Sequence, residues 1–189
     1  MRDFKADLAR YYSLGNTRRE VAMNPAVWAI FWYRLGRWIY NDSPSLVRPI
    51  LKGMHLLGAI FFDAFMQMRL NVQAQIGPGL LIAHHGGITL HPEVTIGSNC
   101  DLAHLVTIGS PGAGKKGAPK IGSSVYIGTG AVIIGPIRIA DYSRIAANSL
   151  VNRDVDEGVT VMGVPAREVA RNPRSNLADS RPVLFGQHH

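Results

Sequence analysis

The chain has 189 residues, 47% of them apolar, which is enough for one domain with a sizeable core and too apolar for a disordered chain. The single cysteine, Cys100, excludes an intramolecular disulfide, and no N-terminal run joins a basic start to an apolar stretch and a small-residue cleavage site, so a cytoplasmic protein is expected. Twenty Lys and Arg against thirteen Asp and Glu give a net charge of +7, which suits an anionic partner without deciding between nucleic acid, lipid and a small molecule.

Residues 1–70 are rich in Trp, Tyr, Phe, Met, Leu and Arg and are expected to be an α-helical segment. Asn24-Pro25 is a cap followed by a first-turn proline, and Val27, Ile30, Phe31, Tyr33, Leu35, Trp38 and Ile39 alternate with Arg34 and Arg37 in an amphipathic pattern. Pro44 and Pro49 punctuate before a second apolar stretch from about Ile50 to Met68. Lys52 and Asp63 interrupt it, leaving it short of the roughly 20 apolar residues of a membrane span. The helices are expected either to pack on one another and on neighbouring subunits, the preferred reading, or to rest an apolar, basic face on a membrane surface, which would place a cytoplasmic protein at the inner face of the membrane.

From residue 71 the pattern changes. An aliphatic residue recurs every six positions at Ile121, Ile127, Ile133, Ile139, Ile145 and Val151, and upstream at Ile76, Ile82, Ile88 and at Ile96, Leu102, Ile108, with register shifts after Ile88 and after Ile108. The second shift coincides with Ser110–Lys120, a Gly- and Pro-rich stretch that reads as an extruded loop. Glycine often follows the aliphatic residue, as in Ile76-Gly77 and Ile121-Gly122. This period fits short strands joined by tight turns, three to a triangular coil, with each aliphatic stacked on its equivalent one coil later. Residues 71–171 are assigned to this repeat, and residues 172–189, with His188 and His189, to a polar C-terminal tail expected to be mobile and given no chemical role.

The hexapeptide repeat, the loop GKKGAPKIG (Gly114–Gly122), the segment IGPGLLIAHHGGI (Ile76–Ile88) and the terminal GVPAREV (Gly163–Val169) together resemble left-handed β-helix acyltransferases of the serine acetyltransferase-like branch. The segment NPAVWAIFWYRLGRWIY (Asn24–Tyr40) resembles the start of its exopolysaccharide members, the colanic-acid-type O-acetyltransferases. The resemblance implies a mainly β fold, a left-handed parallel β-helix preceded by helices. It further implies a homotrimer with sites between adjacent prisms, and acetyl transfer from acetyl-CoA, the co-substrate, to a hydroxyl.

Such a transfer needs a general base, and neutral imidazole is well poised for it. His84, seven residues after Gly77, matches the family's catalytic histidine; His85, His104 and Arg69 are acceptor-side candidates. Arg69 stands where the family places the carboxylate that orients the base. Asp63 or a backbone carbonyl would then have to replace it, or His84 would act alone, or the protein would not be a catalyst. Ala83, Gly117 and Ala118 stand where true serine acetyltransferases carry an Asp and an Arg-His pair, so a zwitterionic acceptor loses its contacts. The expected acceptor is therefore a sugar or polysaccharide-precursor hydroxyl. Serine O-acetylation for cysteine biosynthesis is the alternative, and a non-catalytic hexapeptide-repeat binding or scaffold protein the reading from another class.

For acetyl-CoA, Gly109, Thr129, Ala147 and Arg144 match family positions, while Lys115, Lys116, Lys120 and Arg167 are assigned to its phosphates on charge. No histidines show metal-ligand spacing with a carboxylate, so no metal is expected, and no module for nucleic acid is found.

Overall fold

The structure, a computed structural model, describes residues 2–112 and 117–171. Four helices come first: α1 (Arg2–Ser13), α2 (Arg18–Met23), α3 (Pro25–Asn41) and α4 (Arg48–Met66). The Asn24 side chain accepts from the Ala26 N–H and Pro25 fills the first turn of α3, as the sequence predicts. A capping box between Thr17 and Glu20 starts α2.

Fourteen short strands then wind the chain into stacked coils, and a fifteenth folds back on the last. One sheet holds β1 (Met68–Arg69), β4 (Ile88–Leu90), β7 (Thr107–Gly109), β10 (Val132–Ile134) and β13 (Leu150–Val151). The second holds β2 (Gln75–Ile76), β5 (Thr95–Ile96), β8 (Lys120–Ile121) and β11 (Arg138–Ile139). The third holds β3 (Leu81–Ile82), β6 (Asp101–Leu102), β9 (Tyr126–Ile127), β12 (Arg144–Ile145) and β14 (Val159–Gly163), closed by antiparallel β15 (Ala166–Arg171). Up to β13 every third strand pairs in parallel, so each coil contributes one strand to each face of a triangular prism; in the last coil the second face has only the bridge from Ile139 to Val155, and β14 pairs directly with β12.

The repeated aliphatics fill the prism. Ile76, Ile96, Ile121 and Ile139 form one column, and Ile82, Leu102, Ile127 and Ile145 another. All eight are buried, each isoleucine or leucine contributing about 1.5–3 kcal/mol on burial. Cys100 points inward too, and burial pushes its thiol up to about 12. The glycine after the aliphatic is needed because the coils touch there: a Cβ at Gly97 would lie 2.6 Å from the Gly122 carbonyl carbon.

The first register shift differs from the one read in the sequence. Leu90, not Ile88, stacks on Ile108, so the extra residues precede Ile88. They lie in the turn after β3, whose counterpart after β6 is two residues shorter.

The helices close the open end of the prism. The outer edge of the first coil has no preceding strand to pair with, and side chains of α1 and α3 take that place. The Tyr33 hydroxyl donates to the Ala74 carbonyl (2.7 Å) and accepts from the Ile76 N–H (3.1 Å); the Tyr11 hydroxyl donates to the Ile82 carbonyl (3.0 Å) and accepts from the Ile82 N–H (3.1 Å). Arg34 forks onto Asp7 (2.9 and 3.0 Å) and donates to the carbonyls of Ile76 (2.6 Å) and Gly77 (2.7 Å). Asp7 in turn accepts from the Leu80 N–H at 2.8 Å. The ion pair is buried, and each of its members also satisfies backbone of the first coil.

Against the sequence expectation, α4 is a single 19-residue helix, long and apolar enough by length and composition to cross a membrane, because Lys52 and Asp63 do not break it. Its one buried residue is His55, stacked on Trp32 of α3.

Candidate active site

Three edges join the faces of the prism, and the one running from the third sheet to the first carries His84, His85 and His104. Its turns are Ala83–Gly87, Ala103–Leu105, Gly128–Gly130 and Ala146–Asn148, one per coil. Backbone bonds hold them in a stack: the Leu105 N–H donates to the Gly86 carbonyl (2.9 Å), Gly130 to His104 (3.1 Å) and Asn148 to Thr129 (2.8 Å). The last residue of each turn is left-handed, at Gly87, Leu105, Gly130 and Asn148.

The register of those bonds makes Gly86 the counterpart of His104, Thr129 and Ala147. The two residues by which the first turn exceeds the others are therefore His84 and His85 themselves. They are lifted off the edge and exposed. The His84 ring stands over His104 of the next coil, with ring centroids 5.6 Å apart and planes at 81°. His104 is half-buried, and its Nδ1 is the one buried side-chain nitrogen or oxygen among the described residues that has no hydrogen-bond partner. A buried imidazole nitrogen left so costs about 1–3 kcal/mol, and marks a place where a hydrogen-bond partner is wanted.

The structure thus brings together His84, His104, Thr129 and Ala147 on one edge. Gly109 lies at the next edge, where a Cβ would meet nothing closer than the Cβ of His91 at 3.5 Å. Unlike Gly97, this glycine is not demanded by the stacking of the coils, and it leaves room for an extended ligand to approach the backbone. The assigned cations are dispersed. Lys120 is exposed on the second sheet beside Arg138; Arg144 lies on the third sheet with its guanidinium 5.4 Å from the Tyr126 ring centre; Arg167 is exposed on β15. Lys115 and Lys116 lie outside the described residues, as do residues 172–189.

Arg69 points into solvent from β1 and is held by Asp63, with Nε to Oδ2 at 3.0 Å, an interaction that raises the arginine pKa. Asp63, named as a substitute partner for His84, is therefore engaged by Arg69, the residue at the position of the expected carboxylate. Asp101 on β6 is a carboxylate whose proton affinity is raised. Burial raises it to about 6, against the opposing pull of Arg10, whose Nη2 lies 2.6 Å from Oδ1. Among the described residues no group of three His, Cys, Asp or Glu converges as a metal site would. Clefts of about 600 Å³ beside α3 and about 380 Å³ between α3 and α4 do not include His84.

Residues 118–153 match the family model of the bacterial transferase hexapeptide (six repeats). Over 152 residues the chain is 31% identical to the serine acetyltransferase of Mycobacterium tuberculosis, covering 80% of this chain and 63% of the relative. The chain spans between about half and two thirds of the length of the curated relatives it matches. Its fold superposes on the crystal structure of Neisseria gonorrhoeae serine acetyltransferase with a TM-score of 0.79 and 29% identity, over 97% of this chain and 71% of that one. A serine acetyltransferase in complex with CoA superposes with a TM-score of 0.72 and 26% identity, over 88% and 68% of the two chains.

These matches correct two expectations. The relatives and the structural neighbours are serine acetyltransferases, so neither a sugar acceptor nor closeness to exopolysaccharide acetyltransferases stands. The loss of charged side chains at positions 83, 117 and 118 outweighed the rest of the motif in the sequence reading, although it is local to one subsite. Residues 118–153 are thus similar to the bacterial transferase hexapeptide, and the relatives and solved structures to which the chain is similar are serine acetyltransferases.

Proposed function

We propose that the chain transfers the acetyl group of acetyl-CoA to the hydroxyl of serine, with His84 as general base. The observation that carries this reading is the two-residue insertion, which raises His84 clear of the edge in a fold shared with a CoA-bound serine acetyltransferase. In the transfer the hydroxyl oxygen bonds to the thioester carbonyl carbon while an imidazole nitrogen of His84 takes the hydroxyl proton. The carbon–sulfur bond then breaks, and the proton passes from the imidazolium to the leaving thiolate, returning His84 to its neutral state.

In this reading His104 does for His84 what a carboxylate would otherwise do. An N–H···N bond of normal length between two imidazoles puts their centres about 5.2 Å apart, close to the 5.6 Å separation of His84 and His104, so the N–H of His84 that is not facing the substrate has the unpartnered Nδ1 of His104 as its acceptor in this reading. That bond fixes the tautomer of the base and satisfies the buried nitrogen, but brings no negative charge to stabilise the imidazolium. Gly109, Thr129 and Ala147 offer backbone to the pantetheine arm. Because His84 sits on an open edge rather than in a cleft, the second wall of the site comes from another copy, in a trimer of prisms whose coils are left-handed.

Thiol release from acetyl-CoA, with serine as acceptor and with none, tests the reading. Serine-dependent release by the wild-type chain that falls at least 100-fold in His84→Ala, with CoA binding retained, is expected. Unchanged turnover in His84→Ala rejects the base, and CoA binding without any serine-dependent release rejects the acceptor.

A further inference from the structure

The structure leaves α4 inside out. From Pro49 to Phe65 every exposed position of the helix is apolar, whereas Lys52 and Asp63 are half-buried and His55 is buried on its inner side. A helix facing water does the reverse. The outer stripe Ile50, Met54, Leu57, Phe61 and Phe65 keeps helical spacing over the whole length, and each member is between 47% and 75% exposed. The polar side chains are used against the protein: Lys52 lies 4.6 Å from the centre of the Tyr40 ring, and Asp63 pairs with Arg69. Apolar surface this continuous is stable only when something apolar covers it.

We infer that this face docks on an anionic lipid bilayer, with α4 lying in the plane of the interface. Charge selects the bilayer over a second copy of the chain. Residues 1–70 hold ten Lys and Arg against five Asp and Glu, so two copies brought together on this segment repel, whereas acidic headgroups attract it. The helix lies on the membrane rather than across it because its inner face is occupied. The Trp32 indole N–H donates to the His55 carbonyl at 3.2 Å, the Trp32 and His55 rings stack at 5.4 Å, and α3 is itself pinned to the first coil through Tyr33 and Arg34. Spanning would strip α4 from α3 and carry Lys52 and Asp63 into hydrocarbon. The geometry is that of an interfacial amphipathic helix whose polar side is supplied by the rest of the protein.

Flotation of the full chain with phosphatidylcholine vesicles, with and without phosphatidylglycerol, tests this. The wild-type chain floats with the phosphatidylglycerol vesicles. The neutral triple substitution Leu57→Ser/Phe61→Ser/Phe65→Ser, which leaves charge untouched, reduces the bound fraction at least tenfold while circular dichroism and thermal unfolding stay those of the wild type. Ile50→Ser/Met54→Ser, at the other end of the stripe, does the same. Three results overturn the inference: no flotation with either vesicle, flotation of both variants equal to that of the wild type, or a smaller particle mass for the variants by light scattering without lipid, which would assign the face to contacts between copies.

Discussion

Removing one oxygen atom tests how the prism is closed. Tyr33 is 2% exposed, and its hydroxyl is at once donor to the Ala74 carbonyl and acceptor from the Ile76 N–H, two backbone groups on the free edge of β2. In Tyr33→Phe both lose that partner in a place sealed from water. Each orphaned group costs about 1–3 kcal/mol, so the two together cost about 2–6 kcal/mol. Tyr11→Phe removes the same pair of bonds from β3, on a different face of the prism. The two losses should therefore add to within about 0.5 kcal/mol in the double variant. Urea unfolding followed by circular dichroism measures all three. A loss below about 0.5 kcal/mol in either single variant would show that water can cap the first coil, and that α1 and α3 hold on by their apolar contacts alone.

Two further predictions concern single side chains. His104→Leu is expected to lower kcat about 10- to 100-fold with KM for acetyl-CoA unchanged, while His104→Gln, which can still offer an acceptor to His84, recovers most of the rate; in a His84→Ala background neither substitution has any effect, which a merely structural role would not produce. Asp101 binds a proton more tightly folded, at about 6, than its ordinary value of 3.8, so between pH 4 and pH 6 the folded chain holds more protons and stability falls as pH rises. The fall amounts to about 3 kcal/mol relative to Asp101→Asn, and a wild-type minus variant difference that stays flat across those pH values in urea titrations refutes it.

What could be read from the sequence is what the repeat enforces. Aliphatics every six residues from Ile121 to Val151 stack where the spacing puts them, each on its equivalent eighteen residues later, and the coils with extra residues keep the column because the extra residues are placed in turns. The capping of the first coil was not legible. Tyr11, Tyr33, Asp7 and Arg34 look like ordinary members of amphipathic helices, and their roles depend on how α1 and α3 dock. The first register shift was misplaced for a related reason. Ile88 and Leu90 are both buried, so either could continue the column by composition, and only the pairing of Leu90 with Ile108 decides between them. That pairing turns His84-His85 from a motif into an insertion. The character of α4 was misjudged because a count of charged residues does not say which side of a helix they occupy.

The division of the candidate site between two edges leads to a final prediction. His84 and His104 lie on the edge between the third and first sheets and Gly109 on the edge between the first and second, so one face of the prism separates them. A ligand that touches both sets within a trimer does so by running between the edge of one copy and the facing edge of the next. Each site is then built from His84 of one chain and Gly109 of another. His84→Ala lacks the proposed base, and Gly109→Trp, projecting from a position where a Cβ meets only His91, is expected to block the approach without disturbing the stacked coils. Each variant alone should be inactive. Unfolded together in equal amounts and refolded, they should recover about a quarter of the wild-type rate, because a random trimer pairs the intact histidine with the intact glycine at one interface in about four. If the mixture stays inactive while both chains assemble, His84 and Gly109 serve the same site from the same chain, and the second wall of that site must come from within a single prism.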